Sequence, residues 1–466
     1  VRDSGGGNSV TLEGIARDFD EIRGARGLAR AKEGRLACAL ERHGRTPPAR
    51  RRYLPAARVV TGKSAPRALL RHARRLGLGV ATLGGSLVLA LVLALLLAGG
   101  TENRPDQGEV RFLAGSTPAF DRYTRSLNPA YGEFLRRHFW RMVVYSPYFD
   151  NKTTWYPHAW VYRDAYAIYR GSTLALEHPQ WVLKDAAGRP LYIPFECTQG
   201  GCPQYAADIA NTAYRRAWIK VVRAQLARGY RGLFIDDVNM QTRVSDGSGR
   251  LAAPIDEATG QPMTAEAWRR YMSAFMQEVR AALPSIEIAH NVEWLAGSPQ
   301  RASDPLIARE IRAADYVNLE RGVNDTGIRG GSGPFSLTSL LAYVDSVHAL
   351  GRSVVLDGSA SETAGIEYSL AAFLLISTGN DLVSAKGMTP DHWFSGFDLN
   401  LGKALGPRRA WMGLLRRDFG GGIALVAAPE SAAHSVALPE PMRTLDGQTV
   451  RSVTLAPASG VVLLRR

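Results

Sequence analysis

Gly229-Tyr-Arg-Gly-Leu-Phe-Ile-Asp-Asp-Val-Asn239 is the stretch on which the reading of the whole chain turns. A helical run stops at Gly229, an apolar segment follows, and two acids then stand side by side. Leu233 to Ile235 has the continuous apolar character of a strand buried on both faces, as in parallel sheets. Acids at the C-terminal end of such a strand occupy the place where an α/β barrel collects its chemistry. Side chains alternate along a regular strand, so only one of Asp236 and Asp237 is expected to face a barrel lumen. Asp236, the first acid after the apolar run, is preferred narrowly, and the order stays open.

Working outward, the same grammar repeats. Upstream, Arg141–Tyr145 is an apolar run, followed by a loop dense in aromatics that contains Trp155, Tyr156 and Trp160. Ala165–Tyr169 reads as the next strand, and Trp181–Asp185 with Leu191–Ile193 as a hairpin turned at Ala187-Gly188. Asn211 is positioned to cap a helix whose apolar face is Tyr214, Trp218, Val221, Val222 and Leu226. Downstream, helices near 264–283, 305–313, 336–350 and 367–375 alternate with strands at 286–289, 316–319 and 353–356. Seven or eight such units predict a (β/α)8 TIM-like barrel over 121–410. The short strands after residue 411, with Asp446-Gly447 as a hairpin turn, predict a small C-terminal all-β domain over 411–466. No Gly-x-Gly-x-x-Gly follows the first strand, which disfavours a dinucleotide fold, and no cofactor is called for.

The first hundred residues differ in kind. The chain carries a net charge of +14 over 466 residues, but residues 1–75 hold 18 Lys/Arg against 7 Asp/Glu, so the basic character belongs to that segment. It is expected to be a disordered basic cytoplasmic tail, and the main body shows no charge that would select nucleic acid as a partner. Residues 76–101 contain no charged residue and are long enough to cross a bilayer, with Arg71, Arg74 and Arg75 on one side and Glu102 and Asp106 on the other. They are expected to be a transmembrane anchor, and the positive-inside rule then places all that follows outside the membrane; secretion after signal cleavage is the rival. Residues 102–120 are expected to be a linker. Cys197 and Cys202 enclose four residues and suit a disulfide in an oxidising compartment, and no metal site is expected because further ligands are lacking.

Strand after strand ends in an acid or amide: Asp208, Asp236-Asp237, His290-Asn291, Glu320 and Asp357. One end of a parallel barrel gathers strand C-termini, so these groups are expected to meet in a cleft. Paired carboxyls of this kind are what glycoside hydrolysis needs, one to protonate the leaving oxygen and one to act as nucleophile or base. Asp236 or Asp237 is expected to fill the second role and Glu320 the first. Asp208, His290, Asn291 and Asp357 are expected to orient a sugar, with Trp155, Tyr156, Trp294 and Trp393 as stacking surfaces.

Four segments carry a resemblance: Phe149-Asp-Asn-Lys-Thr-Thr-Trp-Tyr-Pro157, Gly232-Leu-Phe-Ile-Asp-Asp-Val-Asn239, Asn318-Leu-Glu-Arg-Gly-Val-Asn-Asp325 and Leu445-Asp-Gly…Pro457-Ala-Ser-Gly460. Over roughly residues 120–466 the chain resembles hypothetical glycosyl hydrolase family 15, a glycosidase-like barrel family distinct from the glucoamylases. The resemblance implies a barrel with a C-terminal β domain that acts on a polysaccharide or oligosaccharide. Two other classes compete. A non-catalytic glycan-binding or cell-wall protein would keep the cleft without the cleavage. A polysaccharide deacetylase would need a His-x-x-x-His pair, which none of the nine histidines supplies.

Overall fold

The computed structural model describes residues 105–466 apart from 116–117, 293–302, 357, 359–361, 385–387 and 394–396. Eight parallel strands close into a barrel. They are β1 (Phe112–Gly115), β2 (Phe139–Val144), β3 (Ala159–Asp164), β4 (Gly232–Asp236), β5 (Glu287–Val292), β6 (Tyr316–Leu319), β7 (Ser353–Leu356) and β8 (Leu382–Ser384). β1 pairs with both β2 and β8, which completes the ring. The stretch expected as a linker over 102–120 therefore supplies the first barrel strand. Its apolar run, Phe112-Leu-Ala, was too short to stand out in the sequence.

The longer helices among the described residues dress the barrel: α1 (Pro129–His138), α2 (Thr212–Leu226), α3 (Ala265–Ala282), α4 (Pro305–Ala313), α5 (Leu337–Ala349) and α6 (Thr363–Ile376). Polar side chains fix their starts by satisfying first-turn N–H groups. Asn211 accepts from Ala213 and Tyr214, Thr264 from Ala267, Asp304 from Leu306, and Ser336 from Ser339. No helix separates β2 from β3. The aromatic loop there runs directly into β3, so the strand expected at 165–169 belongs instead to a small ribbon, Ala167–Tyr169 against Gln204–Ala206.

Side chains on alternate positions of each strand fill the lumen. Leu113, Val143, Trp160, Phe234, Ala289, Val355 and Leu382 form its apolar middle. Its lower part is ionic. Glu287 takes two hydrogen bonds from Arg141, at 2.6 and 2.7 Å, and further bonds from Arg231 and from the Trp160 indole N–H. Burial pushes the Glu287 carboxyl up, but Arg141, Trp160 and Arg231 outweigh it and hold the group below its ordinary range. Gly232 lies flat against Trp160: a Cβ there would stand 2.5 Å from Trp160 Cδ1 and 2.6 Å from the Glu287 carbonyl oxygen.

The C-terminal sheet comprises β9 (Arg409–Trp411), β10 (Leu414–Phe419), β11 (Gly422–Ala427), β12 (His434–Arg443), β13 (Thr449–Leu455) and β14 (Ser459–Leu464), in the order β9-β10-β11-β14-β12-β13. The turn at Asp446-Gly447 joins β12 to β13. One face of the sheet covers α6, which is buried from Leu370 to Ile376 without interruption. A helix apolar all round needs cover on every side. β14 supplies it through Gly460, whose missing side chain lets the strand approach Ala371 and Tyr368. Arg417 donates to the carbonyls of Leu374, Leu375 and Ser377, capping the C-terminal end of α6.

Among the described residues no helix is long and apolar enough to cross a membrane, and the anchor expected over 76–101 lies outside those residues, as does the tail over 1–75. Replacing Gly232 by Ala should overpack the lumen and cost about 3 kcal/mol in urea denaturation. Gly115→Ala, where a Cβ meets open space, should change stability by less than about 0.5 kcal/mol. Equal midpoints for the two variants would refute this account of the lumen.

Candidate active site

Parallel register aligns the C-terminal ends of four neighbouring strands. Asp164 on β3 pairs with Asp236 on β4, and Asn291 on β5 pairs with Asn318 on β6. Each lies two residues beyond a lumen side chain (Tyr162, Phe234, Ala289 and Tyr316), so all four point inward. Glu320 continues the same face one step past β6.

Asp236 is where donors converge. Its Oδ2 accepts from the Tyr162 hydroxyl at 2.5 Å, and its Oδ1 accepts from Asn291 Nδ2 at 2.7 Å and from the Asp237 backbone N–H at 2.8 Å. Three donors suit a carboxylate anion. Tyr162 is held as a neutral donor: burial pushes its pKa well above the usual phenol range, and the charges of Asp236 and Asp164 add to that. The amide of Asn291 reaches a second carboxyl, since the same Nδ2 lies 3.4 Å from Glu320 Oε2. Asn291 Oδ1 in turn accepts from Asn318 Nδ2 at 2.7 Å.

The alternation rule fails at Asp237, for a local reason. Its φ is +56°, in the left-handed region, so the backbone leaves the strand and turns the second carboxyl back toward the first. Asp and Asn tolerate this region better than other side chains, and such residues concentrate at functional sites. Arg321, just after Glu320, has φ +64°. Asn239 Nδ2 donates to Asp237 Oδ1 at 2.9 Å. Burial and the neighbouring Asp236 push the Asp237 carboxyl up to about 7, with Glu320 adding and Arg243 and Asn239 opposing. Asp164 goes the same way: burial, then Asp237 and Asp236, raise it well above the carboxylate range, against two backbone N–H bonds of 2.7 Å from Tyr166 and Ala167. The cluster thus combines a donor-rich carboxyl, Asp236, with two carboxyls whose pKa values burial and like charge push upward.

Asp164 was not anticipated. With the strand expected at 165–169, directly after the true end of β3, Trp160-Val-Tyr-Arg-Asp164 did not stand out as an apolar strand closed by an acid, although it follows the pattern of Leu233–Asp236. The other expected residues divide. Asn291 joins the cluster. His290, one step along β5, points outward and is fully buried against Glu310 of α4, Nδ1 to Oε1 2.5 Å, so it does not reach the cleft. Asp208 sits in the insertion before α2, accepts from the Ala210 N–H and has Asp256, Glu257 and Arg215 as its charged neighbours. Burial raises it to about 6.

Three of the four expected stacking aromatics lie elsewhere. Trp155 packs on α1, donating to the Asn128 carbonyl. Tyr156 is fully buried and donates to the Phe139 carbonyl. Trp393 sits among Phe112, Phe134, His138 and Phe139. Phe112 and Phe139 begin their strands, so Trp393 covers the end of the barrel opposite the carboxylates. A loop that leads into a strand belongs to that end, which is why nearness in sequence misled. Trp294 and Asp357 lie outside the described residues. Cys197 and Cys202 form the expected disulfide within the insertion after β3. Among the described residues no group of three or more His, Cys, Asp or Glu side chains is arranged to hold a metal.

Residues 142–317 match the profile of hypothetical glycosyl hydrolase family 15. The matched region runs from β2 through β6 and contains Asp164, Asp236, Asp237 and Asn291. The region similar to that family thus encloses most of the carboxyl cluster. No curated protein matches the chain. Among solved structures it is similar to the glycoside hydrolase domain of PelA from Pseudomonas aeruginosa, at 14% identity and TM-score 0.36, covering 60% of this chain and 94% of that one. It is also similar to an alpha-amylase from Lactobacillus plantarum, at 12% and 0.42, covering 77% and 99%. Trehalose-6-phosphate hydrolase from Bacillus licheniformis gives 10% and 0.46, covering 77% and 99%. No residue role is carried over from any of them.

The raised Asp237 carboxyl has a consequence for stability. An unfolded chain releases that proton near pH 4, whereas the folded protein keeps it to about pH 7. Folded stability therefore falls as pH rises across that window. Asn in place of Asp237 has no proton to lose and accepts the left-handed backbone. Asp237→Asn should gain in Tm over the wild type between pH 5 and pH 8, by about 3 °C or more. A Tm gap that is constant with pH would contradict this assignment.

Proposed function

We propose that this chain is a glycoside hydrolase that cuts an extracellular or cell-envelope glycan by two-carboxylate chemistry. Asp236 is the nucleophile or base and Glu320 the general acid. The observation that carries the proposal is the single amide nitrogen of Asn291 placed between the Asp236 and Glu320 carboxyls. Two carboxyls facing one point across the mouth of a barrel are the minimum equipment for cleaving an acetal. Their environments differ in the way that roles require: Asp236 receives three donors, whereas Glu320 is exposed where a leaving group departs toward solvent. Asp164 and Asp237, each pushed toward the neutral form, keep the negative charge beside Asp236 low.

The sequence and the disulfide support a membrane-anchored, extracytoplasmic location for this enzyme. An uncharged stretch at 76–101 with arginines before it anchors the chain and puts the barrel outside, where Cys197–Cys202 stays oxidised.

The test is a screen of the purified protein against α- and β-linked glucans, galactans and amino-sugar polymers, reading new reducing ends. One class should be cut. Asp236→Asn and Glu320→Gln should each lower kcat by roughly 10³ or more with KM moved less than about threefold, at unchanged circular dichroism. Retention of a glycan that is never cleaved would favour the binding-protein alternative. Full activity in both variants would dismiss these two carboxyls.

A further inference from the structure

Asn291 Nδ2 is bonded to Asp236 Oδ1 at 2.7 Å and to Glu320 Oε2 at 3.4 Å. Two atoms bonded to a third can be no farther apart than the two bonds laid end to end. The facing oxygens are therefore within about 6 Å of each other, which leaves little room between them for the water molecule that inverting glycosidases hold between carboxyl groups roughly 6.5–9.5 Å apart. A span bounded in this way accommodates the roughly 5–5.5 Å at which one carboxyl attacks the sugar directly.

The amide is not free to present its other end. Asn318 Nδ2 donates to Asn291 Oδ1 at 2.7 Å, so a flipped Asn291 would set amine against amine and turn its oxygen on two carboxyls. Asn318 itself is 2% exposed, and its Oδ1 is buried without a hydrogen-bond partner. A leucine would fill that lumen position with no orphaned polar atom. An amide held there at a loss does one thing that a leucine would not, which is to orient Asn291.

We infer that hydrolysis at this site retains the anomeric configuration, with Asn291, oriented by Asn318, setting the spacing between Asp236 and Glu320. The inference rests on the glycosidase reading above. In the first step an Asp236 carboxylate oxygen bonds to the anomeric carbon as the glycosidic C–O bond breaks. The bond's electron pair stays on the leaving oxygen, which takes the proton of the Glu320 carboxyl. In the second step the Glu320 carboxylate takes a proton from water, the water oxygen bonds to the anomeric carbon, and the ester bond to Asp236 breaks. One water is consumed and both carboxyls return to their starting forms. Asn291 and Asn318 are positioning residues in this scheme.

The experiment uses the full chain with p-nitrophenyl α- and β-hexosides and N-acetylhexosaminides, together with any polymer cut in the screen. The anomer of the new reducing end is read by proton NMR before mutarotation. The same anomer as in the substrate is expected. The opposite anomer overturns the inference and leaves the glycosidase reading standing, whereas no cleavage of any of these compounds overturns both. Asn318→Leu should fold with an unchanged Tm and lose about 100-fold in kcat at nearly constant KM. If that variant is unstable, Asn291→Ser, at a half-buried position, should show the same loss in kcat. Wild-type kcat in a folded variant would remove the asparagine pair from the scheme.

Discussion

The register of the parallel strands is the constraint on which the molecule depends. Asp164 lies beside Asp236, and Asn291 beside Asn318, only because four strands stay in step over their whole length. A slip of one residue in any of them would send its polar end into the helix layer, because side chains alternate with period two. His290 shows what lies on that other side: a pocket sealed against Glu310. The step is fixed from below. The Trp160 indole occupies the space that Gly232 vacates and donates to Glu287, which Arg141 clamps through two nitrogens. This ties together β2, β3, β4 and β5 at the base of the lumen, so the carboxylates above rest on a floor that fits in one register.

On that floor the protein accepts an electrostatic burden. Three aspartates and a glutamate share one rim, and the left-handed turn at Asp237 adds a carboxyl that a regular strand would have pointed away. The burden is distributed unevenly. Asp236 has hydroxyl, amide and backbone donors, while burial and like charge push Asp164 and Asp237 toward the neutral form. Unequal surroundings of this sort separate chemically identical groups into different roles.

Most of the architecture was legible from periodicity. The strand at 233–235, the helix cap at Asn211, the helix beginning near residue 264, and the switch to short strands near residue 411 are local signals, and the structure contains each of them. Two local ambiguities obscured the rest. Phe112-Leu-Ala-Gly115 is too short to announce a strand. Trp160-Val-Tyr162 follows so many aromatics that it looked like loop, which hid Asp164. The site was legible where a strand end was placed correctly, as at Asp236, Asn291 and Glu320. It was not legible where direction around the barrel mattered. Trp155, Tyr156 and Trp393 lie close in sequence to strands of the site but on segments entering or underlying the barrel, and no linear pattern distinguishes the two ends. The backbone turn at Asp237 is likewise set by its surroundings, so strand alternation, which allows only one of the two acids to face the lumen, does not foresee both.

Helix α6 has a further implication, for the order of events during biosynthesis. It is apolar on every side, and β14, far downstream, provides much of its cover. Until β14 arrives, a chain that has already formed all eight barrel strands still shows a sticky helix to its surroundings. A polypeptide of this design buries the helix only once its last strand has been made. The C-terminal sheet is thus a closing piece for the barrel, and cutting the chain at the apparent domain boundary would leave the barrel with a raw edge.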